Sequence, residues 1–351
     1  MGCERLLNEV LIDLDLKNVF ERNIINTKKG KTVKAQVLLS LILAGSMFAV
    51  SANAEEQSSN TSSVKVSDVK KSDEKKEDID QEITNARMRA TLGSKSAFSF
   101  KSSLGYNGGS LEKPLDSIRP NYRASASIES LTALSGNVGM NYRVSKGGNL
   151  SLGTGILIMA PLEGDITKDF KDPRASQAGK NQKRSQVSDP YVDYSHGYRA
   201  LGMQMISSAT YTHYTTEDAT DYYKLLGNVS LSQIFLADLG TSKWQAGASV
   251  SYDKDLENGD FAGARYDYGI GLFPFAEYSI SDKLSFRTVF GYFQFAKYST
   301  ADLEQLEPYQ SMGIGISLTR DIYLYPNVQF TPKDIRSDRT NVALSANLNL
   351  F

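Results

Sequence analysis

Two histidines are the side chains best suited to general-base chemistry in this 351-residue chain. His213 follows an alternating stretch and is followed closely by Glu217 and Asp218. A histidine near carboxylates can accept a proton, so a His213-dependent hydrolase is one hypothesis. An amphipathic residue at a rim, among Tyr and Thr, is the simpler interpretation, and we predict that the protein is not an enzyme. His196 follows Ser195 directly, and adjacent residues of an extended chain point to opposite faces, which disfavours a Ser-His pair.

An acidic run over 253–260 has the composition of a calcium-binding loop. Its glycine, Gly259, falls one position late for an EF-hand, and Ala264 occupies the place of the bidentate glutamate. Asn258-Gly259 is instead a strong signal for a hairpin turn. We therefore predict a turn here and no metal site or cofactor, with weak surface calcium binding as the alternative.

The charge balance and cysteine count exclude several classes of protein. Lysine and arginine total 39 against 40 aspartate and glutamate, and the net charge is −1, which predicts no nucleic-acid partner. Cys3 is the single cysteine, so the chain has neither a disulfide framework nor a cysteine-based zinc site.

An apolar run at 37–50 is too short to span a membrane as a helix. Lysines precede it and small residues follow it, as in a Sec signal peptide. We expect a signal peptide over 33–54, cleaved between Ala54 and Glu55. Residues 1–32 are then expected to lie upstream of the true translation start or to extend the positive region of the signal.

The segment 55–96 differs in composition from everything after it. Between Lys65 and Glu82, 12 of 18 residues are charged. Such a segment cannot order itself by burying apolar surface. We predict a periplasmic linker, disordered or partly helical from Ser72 onward. A partner-binding helix or short coiled coil is the alternative.

From residue 97 to residue 351 the apolar residues alternate with polar ones. In 244–252 the tryptophan, alanines, valine and tyrosine alternate with Gln, Gly and Ser, and 311–319 repeats the pattern. Strict alternation predicts antiparallel strands with one apolar face. These strands are long, their polar faces carry Gly, Ser, Asn and Thr, and aromatic residues recur near their ends, which favours a transmembrane barrel.

The final strand ends in an aromatic residue after alternating leucines: Leu348, Leu350 and Phe351. With the signal peptide and the alternating strands, this ending resembles the outer-membrane β-barrel proteins of Gram-negative bacteria, porins among them. The resemblance implies a location in the outer membrane after Sec export. It also implies that the barrel-assembly machinery reads the C-terminal residues and that lipid and lipopolysaccharide surround the barrel.

Counting the alternating stretches predicts about 12 strands, with 10 or 14 as alternatives. The count includes a strand at 121–131 and none within 161–197. It places the long connection 161–197 at the same end as the short turns, although barrels keep their short turns at one end. Either 121–145 is one long strand, or the count misses a strand inside 161–197.

Charged residues on the predicted polar faces are candidates for the lumen. These are Lys101, Arg265, Asp267 and Arg287. A second set lies in the long connection: Lys168, Lys171, Arg174, Lys180, Lys183 and Arg184. If that connection folds into the barrel, its cations would narrow the pore and favour anions. An ordinary solvated loop is the alternative.

A passive, porin-like channel for small hydrophilic solutes is the function that the sequence favours. A non-conducting barrel that binds a partner through its loops or through the 55–96 linker is the alternative. The hydrolase that relies on His213 is the third hypothesis.

Overall fold

Twelve long antiparallel strands form a closed barrel in a computed structural model that describes residues 79–120, 130–163 and 184–351. Each strand pairs with the next, and the last pairs with the first. The ninth is interrupted at Tyr292, and both of its segments pair with the eighth. The strands are β1 (Phe98–Ser110), β4 (Ala133–Arg143), β5 (Gly148–Met159), β6 (Ser185–Ala200), β7 (Met203–His213), β8 (Leu225–Asp238), β9 (Trp244–Glu257), β10 (Tyr266–Ser279), β11 with β12 (Leu284–Gly291 and Phe293–Tyr298), β14 (Tyr309–Ser317), β15 (Ile322–Phe330) and β16 (Asn341–Leu350). The predicted fold class and strand number are confirmed.

Smaller elements accompany the barrel. They are the helices α1 (Ile79–Glu82) and α2 (Ala86–Leu92), the short strands β2 (Ile118–Arg119), β3 (Ser130–Leu131) and β13 (Glu304–Gln305), and a π-helical turn (Asp218–Tyr222). Among the described residues no helix is both long and apolar enough to cross a membrane. The predictions for the signal peptide and for 55–78 concern residues outside the described ranges.

The strand assignment differs from the prediction at one place. β1 pairs directly with β4, so the predicted barrel strand at 121–131 is wrong, and β6 is the strand missed within 161–197. In β6 a proline, Pro190, and a register shift interrupt the alternation. With β6 in place, the connection between β5 and β6 lies at the opposite end from the short turns.

The barrel has two distinct ends. Short turns at 144–147, 201–202, 239–243, 280–283 and 318–321 join strands at one end, which we call the short-turn end. All longer connections lie at the other, the long-loop end. Both chain termini of the barrel, at the start of β1 and the end of β16, lie at the short-turn end because β1 and β16 are antiparallel neighbours.

The outer face of the barrel is apolar. Phe98 is 62% exposed, and Leu152 is 55% exposed while its neighbour Ser151 faces inward and is fully buried. A continuous apolar surface of this kind suits lipid and not water. Outward aromatic pairs lie near both ends, such as Trp244 with Tyr278, and they match the interfacial girdles of outer-membrane barrels.

Residues 79–96, which we call the inner segment, lie inside the short-turn end. α1 contacts β6, and α2 contacts β6, β14, β15 and β16. Asn85 caps α2 by accepting from the backbone N–H of Met88, and Gly93 ends it at a φ of +104°. Helices of 4 and 7 residues are not stable alone, so packing against the barrel wall must hold them.

Candidate functional site in the barrel lumen

Small polar side chains line the lumen wall. Asn141 donates to Ser99 at 3.5 Å and to Asn149 at 3.3 Å, and it accepts from Ser151 at 3.0 Å, so the three neighbouring strands β1, β4 and β5 share one network. Farther round the wall, the hydroxyls of Ser208 and Ser232 lie 2.7 Å apart. These groups follow from the polar phase of the alternation, and they give the lumen a wettable surface.

An apolar patch interrupts this polar lining at the short-turn end. Its wall residues are Ile206, Ile234, Leu236 and Phe275, and the inner segment contributes Ile79, Ile83, Met88 and Leu92. All eight are buried. Burying this surface holds the inner segment in the barrel. The patch was not predicted, although runs that are apolar on both faces, such as 234–237 and 272–275, signal it in the sequence.

Polar contacts fix the inner segment from several sides of the wall. Gln204 Oε1 accepts from the backbone N–H groups of Thr84 at 2.7 Å and Asn85 at 2.9 Å. The amide of Asn85 donates to Gln245 at 2.9 Å. Asn349 donates to the carbonyl of Ala90 at 2.7 Å. The partners belong to β7, β9 and β16, so the segment is bound across the barrel.

Ion pairs join the inner segment to two short turns. Asp80 accepts from Arg320 Nε and Nη2 at 2.9–3.0 Å and lies 2.9 Å from the Lys95 ammonium. Glu82 pairs with Lys146 at 2.5 Å. Burial alone would raise the pKa of the Asp80 carboxyl, but Arg320 and Lys95 outweigh it and hold the pKa below its usual value. The same contact raises the pKa of Arg320 against the opposing effect of burial.

Two of the predicted lumen charges lie just above the inner segment, and both are paired. The ammonium of Lys101 is 3.7 Å from Asp193. Arg287 Nε is 4.0 Å from Glu277, and its guanidinium lies 4.7 Å from the Phe275 ring centroid. The second guanidinium at this ring was not predicted: Arg87 of the inner segment lies 5.7 Å from the same centroid.

The other two predicted lumen charges lie at the long-loop end. Arg265 donates to the carbonyls of Tyr223 and Gly259, both at 3.1 Å, and so joins two loops. Asp267 pairs with Lys254, whose ammonium lies 5.9 Å from the Tyr268 ring centroid. Lys254 and Tyr268 share the outward phase of their strands. The structure therefore does not bring the four residues into one cluster.

Of the long-connection cations, Arg184 is described, and it donates to the carbonyls of Met159 and Ala160 at the end of β5. Lys168, Lys171, Arg174, Lys180 and Lys183 lie outside the described residues. At the C-terminus, Leu348 and Leu350 are in the outward phase of β16, and Phe351 is 89% exposed. Ala54 and Glu55, the expected cleavage site, also lie outside the described ranges.

The histidines do not assemble a catalytic group with the predicted partners. His196 stacks on Tyr198 on the outward face, whereas Ser195 faces the lumen. His213 Nδ1 lies 3.4 Å from the hydroxyl of Tyr211 at the end of β7.

The acidic run has a structural role at the rim. Asp255 accepts from Tyr214 and from Asn228, both at 2.9 Å. Within the described ranges no group of three or more His, Cys, Asp or Glu side chains could hold a metal ion.

Comparisons with known proteins give similarity of fold at low identity. An outer membrane channel from Pseudomonas putida F1 is 12% identical, with a TM-score of 0.45, covering 74% of this chain and 98% of its own. The NanC porin is 10% identical, with a TM-score of 0.37 and coverages of 72% and 98%. Omp33 of Acinetobacter baumannii is 10% identical, with a TM-score of 0.31 and coverages of 72% and 98%. No protein-family model and no curated protein matches the sequence. Likenesses at these scores carry no functional argument.

Proposed function

We propose that the protein is a passive channel for small hydrophilic solutes in the bacterial outer membrane. The observation that carries the proposal is the contrast in polarity between the outer and inner faces of the barrel wall. The outer face is apolar, whereas Ser, Asn, Gly and Thr line the interior above the inner segment. In a closed wall of this kind the backbone N–H and C=O groups of every strand are hydrogen-bonded to neighbouring strands, as a membrane requires, and the wall encloses a wettable interior.

The proposal includes a cellular setting. The short-turn end faces the periplasm, as in other bacterial barrels, and the long loops face outward. Sec export, cleavage after Ala54 and insertion by the barrel-assembly machinery deliver the chain to this setting. Lipid and lipopolysaccharide then contact the apolar outer face.

The charges near the lumen floor bear on selectivity. On the barrel wall, Arg287 and Lys101 stand against Glu277 and Asp193, so two cations balance two carboxylates. A constriction with an excess of one sign favours ions of the opposite sign, and a balanced set does not. We therefore infer weak selectivity between small anions and small cations.

Planar-bilayer recording tests the proposal. The mature chain, residues 55–351, is refolded, and a mobility shift on heating before electrophoresis establishes that the barrel is intact. We expect discrete current steps, either in this protein or in a variant with a weakened inner segment, Asp80→Lys with Glu82→Lys. Folded and inserted barrels that stay silent in both forms would overturn the channel.

A further inference from the structure

The inner segment reaches most of the way around the lumen wall. Its polar contacts are to Gln204 on β7, Gln245 on β9 and Asn349 on β16, and its apolar contacts add β8 and β10. α2 also contacts β6, β14 and β15. A segment bound to opposite sides of a barrel lies across its opening. We propose that residues 79–96 are a stopper that closes the short-turn end, and that solutes cross only when it leaves the lumen. The proposal rests on the channel function.

The wall is shaped to accept this segment. A Cβ atom added at Gly197 on β6 would lie 2.3 Å from Leu92 Cδ1, so a larger residue at position 197 would require the Leu92 side chain to shift. A Cβ atom at Gly93 would lie 2.9 Å from the Asn141 amide nitrogen. Such short distances indicate that the inner segment is closely packed against the wall, as a chain loosely threaded through the lumen would not be.

The inner segment is attached to the wall by contacts that can break while the sheet stays intact. The described inner segment forms no strand pairing with the barrel, so its departure breaks no part of the sheet. The Glu82–Lys146 pair lies at the rim with both side chains partly exposed, and pairs of this kind are individually weak. The contact of Asp80 with two nitrogens of Arg320 is the stronger of the two ionic attachments. Burial of the apolar patch is then the main force that retains the stopper.

The path of the chain indicates how the stopper is released. Asp80 is bound to Arg320 in the short turn 318–321, so the chain enters the barrel from the short-turn end. Tension on residues before Ile79 would draw the stopper back along the route by which it entered. Beside the segment, a cleft of about 390 Å³ lined by Arg89, Lys243 and Glu277 leaves open space. A periplasmic partner of residues 55–78 would be placed to supply the tension.

A reversible disulfide tests the stopper in the full mature chain, which lacks Cys3 and so contains no other thiol if cleavage follows Ala54. A Cβ at Gly197 would lie 3.2 Å from Leu92 Cγ, which brings cysteines at the two positions close to disulfide geometry. In Leu92→Cys with Gly197→Cys we expect oxidation to lower the open fraction at least about tenfold, and reduction to restore it. Each single-cysteine variant is the matched control.

The outcomes separate the stopper from the channel. Equal conductance of the oxidised and reduced lock, with the disulfide verified by mass, would overturn the stopper and leave the channel standing. Silence of the reduced lock, the wild type and the weakened variant would overturn the channel. In that case hydrogen exchange at the amides of Thr84 and Asn85 decides the stopper. Faster exchange in Asp80→Lys with Glu82→Lys supports a releasable segment, and unchanged exchange overturns it.

Discussion

Hydrogen bonds and ion pairs stabilise both ends of the barrel, but the residues that they join lie much farther apart in sequence at the short-turn end than at the long-loop end. At the long-loop end, Arg265 and Asp255 bind residues at most 42 positions away. At the short-turn end, the contacts of Asp80, Asn85 and Ala90 join residues 119–259 positions apart. The first set joins loops to the strands beside them. The second holds a separate segment that can leave while every strand pairing stays intact.

The largest effect is expected from a charge in the apolar patch. Ile83 is fully buried between the inner segment and the wall. An ammonium there cannot be solvated, so Ile83→Lys should expel the inner segment and raise the open fraction more than about tenfold. Thr84→Lys adds the same charge at the exposed neighbouring position and is the control. Identical conductance of the two variants would contradict this account of the short-turn end.

Removing one acceptor should have the next largest effect. Gln204→Leu keeps the side-chain size but leaves the N–H groups of Thr84 and Asn85 without their partner, at a cost of about 1–3 kcal/mol for a buried group. We expect the open fraction in bilayer recordings to rise about tenfold. Gln233→Leu is the control, because Gln233 is also buried but lies on the outward phase of β8. A larger effect from Gln233→Leu would refute the assignment.

Acid should loosen the short-turn end. The Asp80 pKa lies below its ordinary value of 3.8 in the seated state, so its ion pair stabilises that state fully above the ordinary value. The stabilisation is lost as the pH falls through the lowered pKa. The open fraction should therefore rise as the pH drops below about 4. Asp80→Asn should have a higher open fraction than the wild type at neutral pH and should lack this part of the pH response. A pH profile equal to that of the wild type would contradict this role of Asp80.

Selectivity should respond modestly to the guanidinium of Arg287 on the wall. Arg287→Gln removes the guanidinium that stays at the Phe275 ring when the inner segment has left, and it leaves the Glu277 carboxylate without its ion-pair partner. The reversal potential in a salt gradient should shift toward cations. Lys333→Gln, in an exposed position of a long loop, should shift it less. An equal shift in both variants would place the selective charges elsewhere.

The smallest effect on conduction is expected at the long-loop end. Arg265→Ala removes the two hydrogen bonds to loop carbonyls and the ion pair with Glu257. Limited proteolysis should cut the loops around 223 and 259 faster, while the open fraction stays near the wild-type value. A change in gating as large as that of Gln204→Leu would remove the distinction between the two ends.

The alternation of side chains made the barrel predictable, because one strand period sorts residues onto lipid and lumen faces. It predicts the strand number that the structure shows, and it predicts polar-face positions for Lys101 and Arg287. The strand β6 was missed because Pro190 and inward charges blur its period. The inner segment was not predicted to lie inside the barrel, since a charged sequence around Asp80 suggests solvent and only the folded wall supplies its partners.

The contact between Asn349 and the carbonyl of Ala90 ties the inner segment to the last strand of the chain. β16 is the final strand to be made, and its pairing with β1 closes the barrel. The inner segment therefore has no complete binding site until the wall is finished, although it precedes every barrel strand in the sequence. The inner segment can therefore close the lumen only after β16 has paired with β1. A barrel whose wall is incomplete would remain open at the short-turn end.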